Sequence, residues 1–341
     1  MPQTIRKALI SAYGDESNVN VISAEIKDPS SGEVQVRVLY SGFNGGDVNM
    51  RLGRYPNQKA APLVPGYCLV GTVQQNGSGC KRFSPGTLVC ALTVYDAQAD
   101  LAIVQEKYLI SVPHNLDIQK ACALVLDWTT AYGIVHRSAK VQSGQKVFVH
   151  GLSGAVGLAC GTLSQLQGAK VYGTASARHH DALRALGFEP FVYNNKDWMA
   201  AMTDLGGADA AFDPLGYESW DETYSILSHD NACLVGYGTN LATVNGEAER
   251  GGKLATTVKL LSRNLMCPIE RRRTRFFYIT KDDKTFEPEL QTLFDMLASG
   301  RIDVKIKGIF DLEDIQEAHR SWAKGTAGIG SMLIRVGDKR T

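Results

Sequence analysis

Between Lys146 and Tyr237 short apolar runs alternate with stretches of helical length, and this alternation constrains the fold more than any other feature of the chain. The runs KVFVH at 146–150, KVYGT at 170–174, FVY at 191–193, DAAFD at 209–213 and ACLVGY at 232–237 read as strands. The intervals 155–167, 178–186, 197–205 and 217–227 read as helices, the second ended by Gly187. Strands that alternate with helices predict a parallel sheet covered on both faces. The first third of the chain differs. Runs such as EVQVRVL at 33–39 and LVGTV at 69–73 are punctuated by glycine, proline and asparagine, which predicts a β-rich region. A breaker-poor stretch at 116–137 suits helices, as do 288–298 and 312–324, and MLIRV at 332–336 reads as a last strand. A chain of 341 residues exceeds most single cores. The predicted fold class is α/β in two domains. A β-rich domain spans 1–125 and 271–341, and a doubly wound parallel-sheet domain at 126–270 is inserted within it.

The first strand of the alternation runs directly into Gly151-Leu-Ser-Gly-Ala-Val-Gly157 and then a helix. That is the context of a dinucleotide fingerprint, in which glycines let backbone N–H groups approach a pyrophosphate at a helix N-terminus. Ser153 stands where the usual pattern has its second glycine. Gly151, Ser153, Gly154, Ala155, Val156 and Gly157 are the candidate contacts. A carboxylate commonly ends the second strand of an NAD site, where it accepts from the ribose 2′-hydroxyl. Val171–Ala177 holds none and leads into Arg178-His179-His180. Thr174, Ser176 and Arg178 are placed to donate to a 2′-phosphate, and Tyr193 to cover or bond it. The expected cofactor is therefore NADPH.

Composition narrows the partners. A net charge of +1 provides no field for nucleic acid. The N-terminal segment MPQTIRKALISAYG has no long apolar run, and the terminal GDKRT carries no lipidation or retention signal, so neither a membrane span nor an anchor is expected. The seven cysteines are dispersed and never form C-x-x-C, which points to a reducing compartment, the cytoplasm.

Several segments, in order and spacing, resemble one family nearly end to end. They are Ser41-Gly-Phe-Asn44-Gly-Gly-Asp47, Gly53-Arg-Tyr55-Pro56, Pro65-Gly66-Tyr67-Cys68-Leu-Val-Gly71, Phe83-Ser-Pro-Gly86, Thr130-Ala131-Tyr132, Phe212-Asp213-Pro-Leu-Gly216 and Glu317-Ala318-His319. The chain resembles the zinc-independent quinone oxidoreductases of the medium-chain dehydrogenase/reductase superfamily. The resemblance implies a GroES-like catalytic domain beside a Rossmann cofactor domain, and it adds Thr130, Asp213, Gly236 and Tyr237 to the cofactor contacts. It also implies a homodimer, for which an edge strand at 232–237 is the expected seam. In zinc-dependent relatives a cysteine stands near Asn44 and a His-Glu pair at the places of Tyr67 and Cys68, so no metal is expected here. Asn44, Tyr55 and Tyr67 become the candidate catalytic donors, while Asp47 holds the loop. The implied activity is metal-free reduction of a quinone or of the activated C=C of an α,β-unsaturated carbonyl. Two other readings stay open: a biosynthetic enzyme catalysing a non-redox cyclisation or isomerisation, and a non-enzymatic NADPH-binding protein. Trp128 and the run Arg271–Arg275 are left unassigned.

Overall fold

The computed structural model describes residues 3–248, 250–325 and 328–337, so the last four residues of the GDKRT end lie outside it. The chain divides into two compact units. One takes residues 1–129, 280–326 and 331–341, and the other takes 130–279 and 327–330.

The first unit opens with an antiparallel hairpin, β1 (Gln3–Ile10) and β2 (Val19–Ile26). Next come β3 (Glu33–Phe43), β4 (Cys68–Asn76), β5 (Leu88–Leu92), β6 (Leu101–Gln105) and β7 (Ile110–Ser111). Val34, Val36 and Val38 of β3 are fully buried, and this strand pairs with both β4 and β6. The breaker-poor stretch is helical through Ile118–Ala123, Leu124–Trp128, Thr129–Tyr132 and Gly133–Ala139, the second and fourth pieces wound as wider π-turns. Trp128 is buried in it.

The second unit contributes β8 (Lys146–Val149), β9 (Lys170–Thr174), β10 (Glu189–Phe191), β11 (Ala210–Asp213), β12 (Ala232–Gly236) and β13 (Arg272–Phe276). All pair in parallel, in the order β10-β9-β8-β11-β12-β13. The chain winds outward from β8 in one direction and from β11 in the other. The ends of those two strands therefore flank the switch point, where doubly wound sheets bind ligands. Under the sheet, Phe148 stacks on Trp198 at 5.0 Å and packs with Met202, Trp220, Leu234 and Leu260. Each such side chain contributes about 1.5–3 kcal/mol by leaving water.

The chain then returns to the first unit with β14 (Ile306–Asp311) and β15 (Ser331–Arg335). They complete a sheet of order β14-β15-β3-β4-β5-β7, with β6 on β3.

Two expectations change. The strand at 232–236 is not an edge: it lies between β11 and β13. The edge is β13, and it belongs to the parallel sheet, which carries the second unit on to Ile279 rather than 270. Its sequence, RRTRF, reads as a solvated charge run because only Thr274 is buried. That hydroxyl donates to the Leu260 carbonyl at 2.6 Å, and the Thr274 N–H donates to Asn264 Oδ1 at 2.7 Å. Side-chain pattern alone conceals a strand whose support comes through its backbone.

Candidate functional site

The glycine loop leaves β8 at the switch point. Gly151 has φ of +69°, a conformation that favours glycine. A Cβ on Gly157 would lie 2.2 Å from the Gly151 carbonyl oxygen, so only glycine lets the helix Ala155–Leu166 start this close to the loop. The Leu152 N–H donates to the Thr174 carbonyl and the Gly154 N–H to the Gly151 carbonyl, both at 2.8 Å. Gly154 is the N-cap and has no side chain to cap with. The first-turn amides of Ala155, Val156 and Gly157 have no intrahelical acceptor, as at any helix start. They are the natural donors to a pyrophosphate, with the helix dipole behind them. The cradle fits the group it would hold.

Beyond β9 the backbone passes Ala175 and Ser176 into a short turn, Ala177–His179, with Arg178 exposed. The carboxylate nearest in sequence, Asp181, points to solvent and pairs with Arg184 at 3.2 Å. Tyr193 is 59% exposed, two residues past the end of β10, which pairs with β9.

Thr174 behaves differently from its expected role. It is buried, and its hydroxyl lies 2.9 Å from His150 Nδ1 and accepts from the Gly151 N–H at 3.3 Å. Burial turns this side chain under the loop rather than toward a phosphate. Asp213 is also fully buried, accepting from the Leu215 N–H and from the hydroxyls of Ser219 and Thr223. Gly236 packs on Trp220, and Thr130 is buried in its helix. Tyr237 is half-buried, and burial pushes its phenol well above the ordinary range.

Sequence reasoning passed over His150, which it read only as the last residue of a strand, and the segment Gly328–Gly330. The Gly330 N–H donates to the Ser153 carbonyl at 3.0 Å, and Gly330 bridges Gly154 in parallel. The signal for this neighbour was the run Gly325-x-x-Gly328-x-Gly330.

In the β-rich unit the three nominated donors come together. Asn44 caps the helix Gly45–Arg51, with its Oδ1 accepting from the Gly46 N–H at 2.7 Å. The Asn44 N–H donates to Asp47 Oδ2 at 3.0 Å, and Gln98 Nε2 donates to Asp47 Oδ1 at 3.1 Å. Burial pushes the Asp47 carboxyl up to about 7. Asp47 thus holds the loop. A Cβ on Gly46 would meet Asn44 Oδ1 at 2.9 Å and the Tyr67 ring at 3.3 Å, so Asn44 and Tyr67 flank the same glycine. Tyr67 is buried, and its hydroxyl forms a short hydrogen bond with that of Tyr55, the rings edge to face at 5.7 Å. Gly66, at φ +118°, brings Tyr67 there, since a Cβ on Gly66 would strike the Gln98 backbone at 2.5 Å. Cys68 turns the other way. It is buried and donates weakly to the Cys122 carbonyl at 3.9 Å. The Cys122 thiol and burial hold the Cys68 thiol well above its ordinary range, so it is no thiolate nucleophile. Among the described residues, no group of three or more His, Cys, Asp or Glu side chains could hold a metal ion.

Residues 30–114 match the alcohol dehydrogenase GroES-like domain family, and residues 186–328 match the zinc-binding dehydrogenase family. The chain belongs to the medium-chain dehydrogenase/reductase superfamily. Members of this superfamily bind a nicotinamide cofactor, and both sheets of the present member fit its two-domain plan. The synaptic vesicle membrane protein VAT-1 homolog of Danio rerio is 24% identical over 340 residues, 97% of this chain and 70% of that protein. The VAT-1 homolog-like protein of Homo sapiens is 26% identical over 244 residues, 71% of this chain but 58% of its own length. The quinone oxidoreductase of Homo sapiens is 24% identical over 313 residues, 90% of each chain. Among solved structures, the JamJ enoyl reductase superposes with a TM-score of 0.84 at 21% identity, covering 98% of this chain and 100% of its own. The CurF ER cyclopropanase from the curacin A biosynthetic pathway does so at 0.83 and 23%, covering 98% and 99%. At these identities the superpositions show a shared fold. No helix among the described residues of the superfamily member is long and apolar enough to cross a membrane.

Proposed function

We infer that this protein is a metal-free, NADPH-dependent reductase of quinones or of the activated C=C of α,β-unsaturated carbonyls. The observation that carries the reading is the Tyr55–Tyr67 phenol pair beside Asn44, in which Tyr67 stands where the resemblance gives zinc-dependent relatives a ligand histidine. The bound cofactor supplies the hydride. Gly154, Ala155, Val156 and Gly157 hold its pyrophosphate, while Arg178 and Ser176 donate to the 2′-phosphate and Tyr193 covers it. Tyr67 donates to the substrate oxygen on which negative charge develops, and the more exposed Tyr55 relays the replacement proton to it. The quinone and enoyl reductases among its relatives and structural neighbours support this reading.

The deciding experiment mixes the purified protein with NADPH and a panel of quinones and enones, and follows absorbance at the nicotinamide band. Consumption of NADPH with a quinone or an enone is expected. Tight NADPH binding without oxidation across the panel would overturn the reductase in favour of a binding protein. A second reading, a cyclisation or isomerisation in a biosynthetic pathway, is favoured by the likeness to the ER cyclopropanase. Product formed without net NADPH consumption would establish it.

The reading places the protein in the cytoplasm, in keeping with its seven free cysteines, and as a homodimer. Leu254, Val258, Leu261, Leu265 and Ile269 are exposed at spacings of four, three, four and four residues, with Leu254, Leu265 and Ile269 each at least 77% exposed. Large apolar side chains exposed in this number along Lys253–Ser262, Arg263–Met266 and Cys267–Glu270 mark an association surface. Two-fold pairing of β13 centred on Thr274 would set Arg273 against Arg275 of the second copy, which disfavours sheet continuation. The apolar surface is the better seam. Light scattering should give twice the chain mass for the parent and the single mass for Leu265→Glu. A monomeric parent would remove the dimer.

A further inference from the structure

A chain of buried hydrogen bonds runs beneath the glycine loop, and its direction follows from one end. Asp213 Oδ2 accepts from Ser219 Oγ at 2.7 Å and from Thr223 Oγ1 at 2.8 Å. A carboxylate only accepts, so the single hydroxyl hydrogen of Thr223 is committed to it. Thr223 Oγ1 also lies 3.0 Å from His150 Nε2, and having no second hydrogen it must accept there. His150 therefore carries its proton on Nε2. Burial holds its basicity below the ordinary histidine range, so the ring is neutral and Nδ1 is an acceptor. The Thr174 hydroxyl, 2.9 Å from Nδ1, must then donate to it. What remains to Thr174 Oγ1 is a lone pair, and it accepts from the Gly151 N–H at 3.3 Å. The hydroxyls of Thr223 and Thr174 each serve as both donor and acceptor, and each bond polarises the next.

The links tie together the ends of three strands. Thr174 is the last residue of β9, Asp213 the last of β11, and His150 follows the last residue of β8. Thr223 and Ser219 come from the helix Glu218–Ser225. The geometry points to His150 as a positioning residue that fixes the cofactor loop: through Thr174 it holds Gly151, the residue from which the loop departs, in register with the switch point. This rests on the reading of Gly151–Gly157 as a cofactor loop. It also explains why a threonine ends β9 while its side chain faces away from the ligand crevice. The hydroxyl anchors the Gly151 amide and the carbonyl anchors the Leu152 amide, so one residue holds the first two amides of the loop.

The test compares Thr174→Val, which keeps the shape and loses the hydroxyl, with Thr174→Ser, which keeps the hydroxyl and loses the methyl. His150→Phe breaks the chain one link further back. Three quantities are read on the full-length protein: NADPH affinity by fluorescence titration, amide hydrogen exchange at Gly151 and Leu152, and the thermal midpoint. The expected result is about a 10-fold weaker affinity and faster Gly151 exchange in Thr174→Val and His150→Phe. Thr174→Ser should restore both, whatever its midpoint. Parental affinity and exchange in Thr174→Val overturn the inference, as does an equal loss in the Val and Ser variants, which would mean that packing of the methyl is what matters. If the parent binds neither NADPH nor NADH, the cofactor reading fails by itself. Gly151 exchange in Thr174→Val then decides the relay alone: faster exchange sustains it as a device that holds the loop, and unchanged exchange overturns it.

Discussion

Asp213 of the parallel-sheet unit and Asp127 of the β-rich unit are both buried carboxyl groups, and their surroundings differ. Asp213 receives three donors, from Leu215, Ser219 and Thr223, and closes a chain in which each member is satisfied. Asp127 receives one, from Ser331 at 2.7 Å, and its Oδ1 has no hydrogen-bond partner. Burial pushes its carboxyl up to about 6. In the same unit Gln98 Oε1 and His319 Nε2 are also buried without a hydrogen-bond partner. The difference teaches where each unit is committed. Beneath the glycine loop the cofactor unit closes one chain of buried polar groups, while Ser164 Oγ, in the helix that follows the loop, is buried without a hydrogen-bond partner. The β-rich unit keeps two buried carboxyl groups, Asp47 and Asp127, that burial pushes up to about 7 and about 6, and Asp47 accepts from the N–H of the donor Asn44.

The sharpest way to break this contrast is at the tightest contact of the cofactor unit. Gly157→Val should abolish NADPH binding and destabilise the protein by about 3 kcal/mol or more, since its Cβ has no space against the Gly151 carbonyl. Titration and thermal unfolding read both effects, and a variant with parental affinity would show that the loop is not held as described. Next in size is Tyr67→Phe, which should lower kcat about 100-fold with NADPH affinity within about twofold of the parent, and Tyr55→Phe about 10-fold. Equal losses in kcat and cofactor affinity would mean that the phenols serve structure instead. Arg178→Ala should cost about 10-fold in kcat/KM for NADPH while leaving NADH nearly unchanged, the loss of one charge-assisted bond. A parallel fall with both cofactors would remove Arg178 from the 2′-phosphate.

A separate effect, spread over several pH units, is on stability against pH. Asp47 and Asp127 stand at about 7 and about 6 in the folded protein, above the unfolded value of about 3.9. Between those limits the folded state binds more protons than the unfolded one. Their contribution is therefore fully present below pH ~4 and is lost as pH rises through the folded values, at up to about 1.4 kcal/mol per pH unit for each group. The thermal midpoint should fall by several degrees from pH 5 to pH 8, and Asp127→Asn should flatten the slope. A midpoint that rises over that interval would contradict the assignment.

Much of the parallel-sheet unit was legible in the sequence because both of its signals are local. Strands buried on both faces read as apolar runs, and KVYGT at 170–174 is β9 to the residue. The edge strand β13 was hidden because it lies against solvent, and three arginines in RRTRF mask its single buried residue. Asn44, Tyr55 and Tyr67 were nominated by resemblance to a family. Their meeting at Gly46 and at a shared hydroxyl contact depends on Gly66 and on a capped helix, neither of which any spacing rule reports.

By itself the sequence determined that a strand, three glycines and a helix recur in the order a dinucleotide loop requires, that no carboxylate ends the second strand, and that two domains share the chain. These are properties of residue order, and backbone physics reads them directly. Tertiary structure alone decided which polar residues face the crevice and which face inward. Thr174 and Asp213 sit at strand ends, where sequence position suits ligand contact, yet the fold turns both beneath the loop. Whether a hydroxyl at the end of a strand meets a phosphate or a buried histidine depends on what the neighbouring strand leads into beside it, and His150, twenty-four residues away, directly follows β8.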